Sequence, residues 1–236
     1  MTMIESILLT GASRGIGAAT LRKMASESTT IGTFVTVARP STDYDELIAE
    51  VRSLNPNKTF LQLKADLSSL DDVSRVLSEI KQAGIEIHGV VNNAGYTNPK
   101  SIQEIVIEDF YKTLTTNLVA PFAVIQGLLK TGRPPKLIIN VASTAGMNGR
   151  PGWLTYSASK AALINMSEVL REEMKPYGTR VVCVSPGRCA TALRRTLAPD
   201  EDPSTIMQPE DVADILSILA SPSGRMIDSQ NLVIRT

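Results

Sequence analysis

Residues Ile4-Glu5-Ser6-Ile7-Leu8-Leu9-Thr10-Gly11-Ala12-Ser13-Arg14-Gly15-Ile16-Gly17 pass from a short apolar run into a turn with three glycines, and then into an Ala/Leu-rich stretch that reaches about Glu27. The run 4 to 9 reads as a strand and the stretch after the glycines as a helix. Strand, glycine turn, helix is an arrangement that cradles phosphate. Glycines let the backbone turn tightly and approach a pyrophosphate, whose charge meets amide N–H groups and the positive end of the helix. The spacing Gly-x-x-x-Gly-x-Gly differs from the commonest dinucleotide fingerprint, yet it has the strand before and the helix after that such a site requires. Gly11, Ser13, Arg14, Gly15, Ile16 and Gly17 are therefore candidate cofactor contacts.

Working outward, the same alternation continues to the carboxyl end. A second strand, 33 to 38, closes the first βαβ unit and ends in Arg39, where this kind of site usually places an acid for a ribose 2′-hydroxyl. A guanidinium suits a 2′-phosphate instead, and Arg14 is a second cation within the glycine turn, so charge complementarity favours NADP(H) over NAD(H). An acidic amphipathic helix (43 to 54) and a strand with Phe60, Leu61 and Leu63 lead to Asp66-Leu67. There Asp66 either accepts from an adenine amino group or caps the turn before a helix at 70 to 83. A fourth strand, 87 to 91, runs into Asn92-Asn93-Ala94-Gly95. A long helix, 104 to 130, carries Asn117 near its middle, and Pro121 is expected to bend it. Asn117 either pins backbone at that kink or holds a water that returns protons to the site.

No repeat or linker interrupts the pattern. Alternating units with buried strands imply one α/β domain over 1–236, a parallel sheet with helices on both faces. The charges balance, 24 basic against 24 acidic, which gives no electrostatic case for nucleic acid or a membrane surface. Cys183 and Cys189, close in sequence, read as reduced thiols rather than a staple or metal site, and no apolar segment reaches membrane-spanning length, so a cytoplasmic protein is expected. His88, the only histidine, lies at the wrong end of its strand for catalysis.

The chemistry concentrates between Ser143 and Lys160. Residues 136 to 142 form an apolar, β-branched strand, and Ser143 falls where it meets a Gly-rich loop, the edge at which open α/β sheets bind ligands. From Tyr156 onward the apolar residues recur at helical intervals, so Tyr156 and Lys160, four apart, share one face. A cation about 4 Å from a phenol, at an effective dielectric of about 20, favours phenolate by up to roughly 4 kcal/mol, which would bring Tyr156 toward the neutral range where general acid–base catalysis is most effective. Ser143 is placed to hydrogen-bond the reacting oxygen. Further on, a strand at 179 to 187 ends in Pro186-Gly187, with Thr191 four residues later. Residues 188 to 208 read as a substrate loop, and a helix (209 to 220) and a strand near 231 to 234 complete the sheet.

Taken together, these motifs resemble those of the classical short-chain dehydrogenases/reductases, in the family's order and over essentially the whole chain. The resemblance implies a Rossmann-type three-layer α/β/α fold with a seven-stranded parallel sheet in the order 3-2-1-4-5-6-7. It also implies Asp66 as an adenine contact, with Leu67 beside it. Asn93, Ala94 and Gly95 fall in the motif that steadies the sheet, and Pro186, Gly187 and Thr191 lie on the nicotinamide side. Asn117, Ser143, Tyr156 and Lys160 match the catalytic tetrad, with Tyr156 and Lys160 also contacting the cofactor and Asn117 holding a relay water. A homodimer or homotetramer through the helices at 104–130 and 153–175 is a further implication. The carboxyl-terminal stretch 226–236 lacks the Asp-Gly-Gly that many members carry, which puts the tetramer contact in doubt, and the short segment after Thr191 suggests an open pocket.

The expected reaction is reduction of a ketone or aldehyde to an alcohol: hydride passes from NADPH to the carbonyl carbon while Tyr156 protonates the oxygen. Two other classes stand beside it. One is a dinucleotide-binding regulatory or scaffold protein without turnover, against which the complete tetrad argues. The other is an extended-type sugar-nucleotide epimerase or dehydratase, against which the glycine spacing argues. Within the reductases, Arg150, Arg188, Arg194 and Arg195 raise the alternative of an anionic substrate, phosphorylated or an acyl thioester. Trp153, Met147 and Leu193 are expected apolar walls.

Overall fold

Seven parallel strands, β1 (Ser6–Thr10), β2 (Thr33–Ala38), β3 (Thr59–Lys64), β4 (Gly89–Asn92), β5 (Leu137–Val141), β6 (Arg180–Pro186) and β7 (Asn231–Ile234), form one sheet in the order β3-β2-β1-β4-β5-β6-β7. The coordinates are a computed structural model that describes residues 3–227 and 231–235. The central strands are buried along their whole length, as in β1 and β5, because both faces are covered. Side-chain alternation divides the core in two. Ile7 and Leu9 point to one face with Phe34, Leu21, Leu47 and Leu216, while Leu8 points to the other with Val35, Val37, Val76 and Val124.

The first face is covered by α1 (Gly15–Glu27), α2 (Thr42–Leu54) and α8 (Pro209–Ala220), with α1 packed chiefly on α8. The second is covered by α3 (Leu70–Gln82), α4 (Ile107–Leu114), α5 (Ala120–Leu129) and α6 (Leu154–Met174). A short α7 (Ala192–Leu197) lies within the segment 188–208, which is tied down by a bridge between Cys189 and Met207.

The expected helix 104–130 differs in detail. It begins at Ile107 and is interrupted by a π turn, Thr115–Val119, that joins α4 to α5. Pro121 has no N–H to return to the carbonyl of Asn117, so the turn before it widens, and Ala120 N–H bonds back to the Thr115 carbonyl. The break that Pro121 causes therefore falls around Asn117 itself. Of the carboxyl-terminal stretch discussed above, residues 228–230 and 236 lie outside the described residues.

Candidate active site

The carboxyl ends of β1 to β6 open on one cleft at the point where the strand order reverses between β1 and β4. Gly11, Ser13, Arg14, Gly15 and Ile16 line its floor, followed by Arg39, Asp66 and Leu67, then Asn93, Ala94 and Gly95, and on the far side Ser143, Tyr156, Lys160, Pro186, Gly187 and Thr191. Gly17 and Asn117 are buried behind this surface rather than on it.

The glycine turn is held by its neighbours. Thr10 Oγ1 accepts from the N–H groups of Asn93 (3.0 Å) and Ala94 (3.1 Å), and Asn93 Nδ2 donates to the carbonyls of Thr10 (3.0 Å) and Gly11 (3.1 Å). Gly11 has φ +68°, and a Cβ there would stand 2.7 Å from Ala94 Cα; a Cβ on Gly17 would stand 2.1 Å from the Gly11 carbonyl oxygen. Only glycine permits this approach. Helix α1 starts after Arg14 with no side-chain cap and no acid in its first turn, which leaves its N–H groups and positive end facing the cleft. Arg14 and Arg39 are both exposed at this end. The cradle, the uncapped helix end and two cations with no carboxylate in ion-pair contact among the described residues fit a phosphorylated dinucleotide.

Asp66 Oδ1 accepts from the Ser68 N–H (2.9 Å) and hydroxyl (2.8 Å), while Ser69 is the N-cap of α3. Asp66 thus caps the turn before the helix, and its second oxygen has no protein partner among the described residues. Burial pushes its carboxyl up, but the bonds from Ser68 and the nearby charges of Arg39 and Lys112 bring it below the usual range. Lys112, Tyr96 and Thr116 also line the cleft. The motif reading missed them because α4 carries no fixed sequence signature; the position of Tyr96 directly after Gly95 was the available clue.

At the other end, Tyr156 is 6% exposed and its hydroxyl lies near Ser143, whose Oγ accepts from the Ala145 N–H at 3.1 Å. Burial pushes the phenol above its ordinary value, against the lowering effects of the nearby Ser143 and the charge of Arg194. Lys160, 3% exposed, donates from Nζ to the Val141 carbonyl at 2.8 Å and lies 5.9 Å from the Tyr156 ring centroid. Burial lowers its ammonium to about 8. Lys160 and Tyr156 therefore share the cleft as their spacing implied, but in the protein itself burial, Ser143 and Arg194 set the phenol.

Asn117 is fully buried. Its Oδ1 accepts from the Tyr96 N–H (2.8 Å), and its Nδ2 donates to the Tyr96 carbonyl (2.9 Å) and to Ser159 Oγ (2.9 Å), which in turn donates to the Tyr156 carbonyl (2.7 Å). The side chain pins the loop after β4 to α6, and Pro121, four residues on, has no N–H to give the Asn117 main-chain carbonyl. A second buried chain crosses the sheet from Asn92 Nδ2 to Asn140 Oδ1 (2.8 Å) and from Asn140 Nδ2 to Ser167 (2.9 Å). Thr191 caps α7 by accepting from the Arg194 N–H at 3.1 Å and stands opposite Gly15 across the cleft.

Next to Tyr156, the Trp153 ring is faced by the guanidinium carbons of Arg150 at 5.0 Å and Arg194 at 5.3 Å. Arg194 also makes a two-pronged pair with Glu201 (2.5 and 2.7 Å), whose Oε1 lies 3.5 Å from Arg188. Sequence reading had no means of finding Glu201, because the segment that carries it has no periodicity. His88 sits at the amino end of β4 bonded to Ser6, away from this cleft. Both cysteines are free and buried. Among the described residues, no group of three or more His, Cys, Asp or Glu could hold a metal ion, and no helix is long and apolar enough to cross a membrane.

Residues 5–202 match the short chain dehydrogenase family. The chain is a member of that family. It is 32% identical over 231 residues to a 3-oxoacyl-[acyl-carrier-protein] reductase of Synechocystis, covering 94% of this chain and 92% of that protein. It is 29% identical to an NAD-dependent glycerol dehydrogenase of Listeria innocua, over 96% and 91% of the two chains. The structure of a short-chain dehydrogenase from Burkholderia cenocepacia in complex with NADP superposes with a TM-score of 0.83 at 25% identity, covering 97% of this chain and 95% of the other. As a family member, the short-chain enzyme described here is an oxidoreductase that acts on carbonyl or alcohol substrates with a nicotinamide dinucleotide.

Proposed function

We propose that this protein is an NADP(H)-dependent carbonyl reductase, a single domain whose segment 188–208 forms the outer wall of the substrate site. The observation that supports this reading most is the buried Tyr156 side chain, beside Ser143 in the same cleft as the glycine cradle. When bound, the nicotinamide supplies a hydride to the substrate carbonyl. Tyr156 gives its proton to the carbonyl oxygen, a task suited to a phenol that burial keeps protonated at neutral pH. Ser143 holds that oxygen, and Lys160, still mostly charged at neutral pH, offsets the negative charge left on Tyr156. The Asn117 carbonyl holds a water through which the proton is replaced. Arg14 and Arg39 bind the 2′-phosphate, which selects NADP(H). The Synechocystis relative is a reductase by name, in keeping with the proposed direction.

The exposed apolar side chains Ile107, Tyr111 and Phe122 on α4–α5, with Leu154 and Val169 on α6, support a homo-oligomer through these helices. The activity is tested by supplying NADPH deuterated at C4 with a panel of ketones and aldehydes. Deuterium appearing on the carbinol carbon supports the reading, and its absence from every product contradicts it.

A further inference from the structure

The cleft is far more basic than the chain. The protein balances 24 basic residues against 24 acidic, yet seven basic side chains line the cleft against the lone carboxylate of Asp66 among the described residues. These cations fall into two groups. Arg14, Arg39 and Lys112 lie at the end marked by Asp66, where the charges of Arg39 and Lys112 are felt. Arg150, Arg188 and Arg194 lie at the other end with Trp153, close enough for the charge of Arg194 to act on Tyr156. Lys160 stands between them. The phosphates of a dinucleotide account for the first group, and they leave the second without a ligand.

Within the second group the residues differ. Glu201 takes both prongs of Arg194 and also reaches Arg188, so one carboxylate answers two of the three arginines. Arg150 has no carboxylate partner among the described residues; its guanidinium rests 5.0 Å from the centre of the Trp153 ring. A guanidinium over the indole face keeps its N–H groups free of any carboxylate and available to an oxyanion, which arginine can bind through two parallel bonds. Arg194, on the same ring and buried to 13% side-chain exposure, is too firmly engaged by Glu201 to do this and instead supports the wall.

We infer that the substrate carries an oxyanion, a carboxylate or phosphate on the same molecule as the reacting carbonyl, and that Arg150 is the residue that binds it. This inference rests on the reductase reading. Two measurements separate their fates. The first is steady-state reduction, followed at the NADPH absorbance, of matched pairs: acetoacetate against methyl acetoacetate, and dihydroxyacetone phosphate against dihydroxyacetone. At least one charged member should be used with kcat/KM more than tenfold above its neutral partner, chiefly through KM. Arg150→Gln should remove that preference while the neutral partner's rate stays within about twofold; which pair shows the preference tells carboxylate from phosphate.

The second needs no turnover. Trp153 is the only tryptophan in the chain, so its fluorescence reports directly on this wall. With NADP+ bound, malonate or inorganic phosphate should change that emission saturably and malonamide should not; Arg150→Gln should abolish the response while leaving NADP+ affinity unchanged. Neutral substrates used as well as charged ones, or a Trp153 response to anions that survives Arg150→Gln, would overturn the inference while leaving the reductase intact. No turnover of any compound, together with a saturable anion response lost in Arg150→Gln, would uphold the anion site and count against the reductase reading. Absence of any anion response would overturn the inference outright.

Discussion

Lys160 donates its ammonium to the main-chain carbonyl of Val141 at 2.8 Å, beneath a helix and a sheet that leave it 3% exposed. One backbone oxygen does not replace the water lost, which is why the group is lowered to about 8. Between about pH 8 and 10.5 the unfolded chain holds a proton that the folded chain has released, so stability from this group rises with pH across that window, and below about pH 8 its burial cost is present in full. Lys160→Met, with similar length and no charge, should therefore stabilise the dinucleotide-free protein at pH 7 by about 1–2 kcal/mol, or roughly 2–8 °C in Tm, while turnover collapses. Thermal melts at pH 7 and pH 10 check this, and the gain should shrink at the higher pH.

The same titration sets an expectation for catalysis. Tyr156 stays protonated well into the alkaline range because burial raises its phenol, so the first group to change as pH rises is Lys160. The kcat for reduction should be flat through neutrality and fall above a value near 8. A rate that holds constant to pH 10 would show that the ammonium charge is dispensable.

Arg39 stands exposed at the carboxyl end of β2 with no acid in ion-pair contact among the described residues. Arg39→Asp should lower kcat/KM with NADPH relative to NADH by about 10- to 100-fold, the size of a lost charge-assisted hydrogen bond plus repulsion. An unchanged ratio of the two cofactors would remove the 2′-phosphate assignment.

Thr10 Oγ1 is the common acceptor for the amides of Asn93 and Ala94, tying the end of β1 to the turn after β4. Thr10→Val keeps the shape and removes the oxygen, leaving two amides without their partner. A cost of about 2 kcal/mol is expected, or roughly 4–8 °C in Tm, together with weaker dinucleotide binding. Melting and a fluorescence titration with NADPH measure both.

Most of the fold was readable because the strands are apolar or alternating runs and the turns after β1, β4 and β6 carry glycines or amides at the strands' carboxyl ends. Gly11 to Gly17, Asn93 to Gly95 and Pro186-Gly187 fall on one edge of the sheet for that reason. Spacing also put Tyr156 and Lys160 on one face. What spacing could not supply is direction and environment. Lys160 turns to Val141 rather than bonding Tyr156, Asn117 directs its amide to Tyr96 and Ser159, and Pro121 widens a turn of its helix instead of simply bending it. The Trp153 wall joins residues 150, 153, 194 and 201, which come from a loop, a helix start and an aperiodic segment. Only the folded chain brings them together.

The claim on which the functional account turns is that the Tyr156 hydroxyl delivers the proton. Tyr156→Phe removes that oxygen and little else from a buried site. Single-turnover reduction of a responsive carbonyl by NADPH should slow by at least about 1,000-fold, within the range lost when a proton donor and its oxyanion contact are removed together, while NADPH binding stays within a few-fold of the parent. A Phe variant that binds NADPH and reduces its substrate at close to the parent rate would contradict the account.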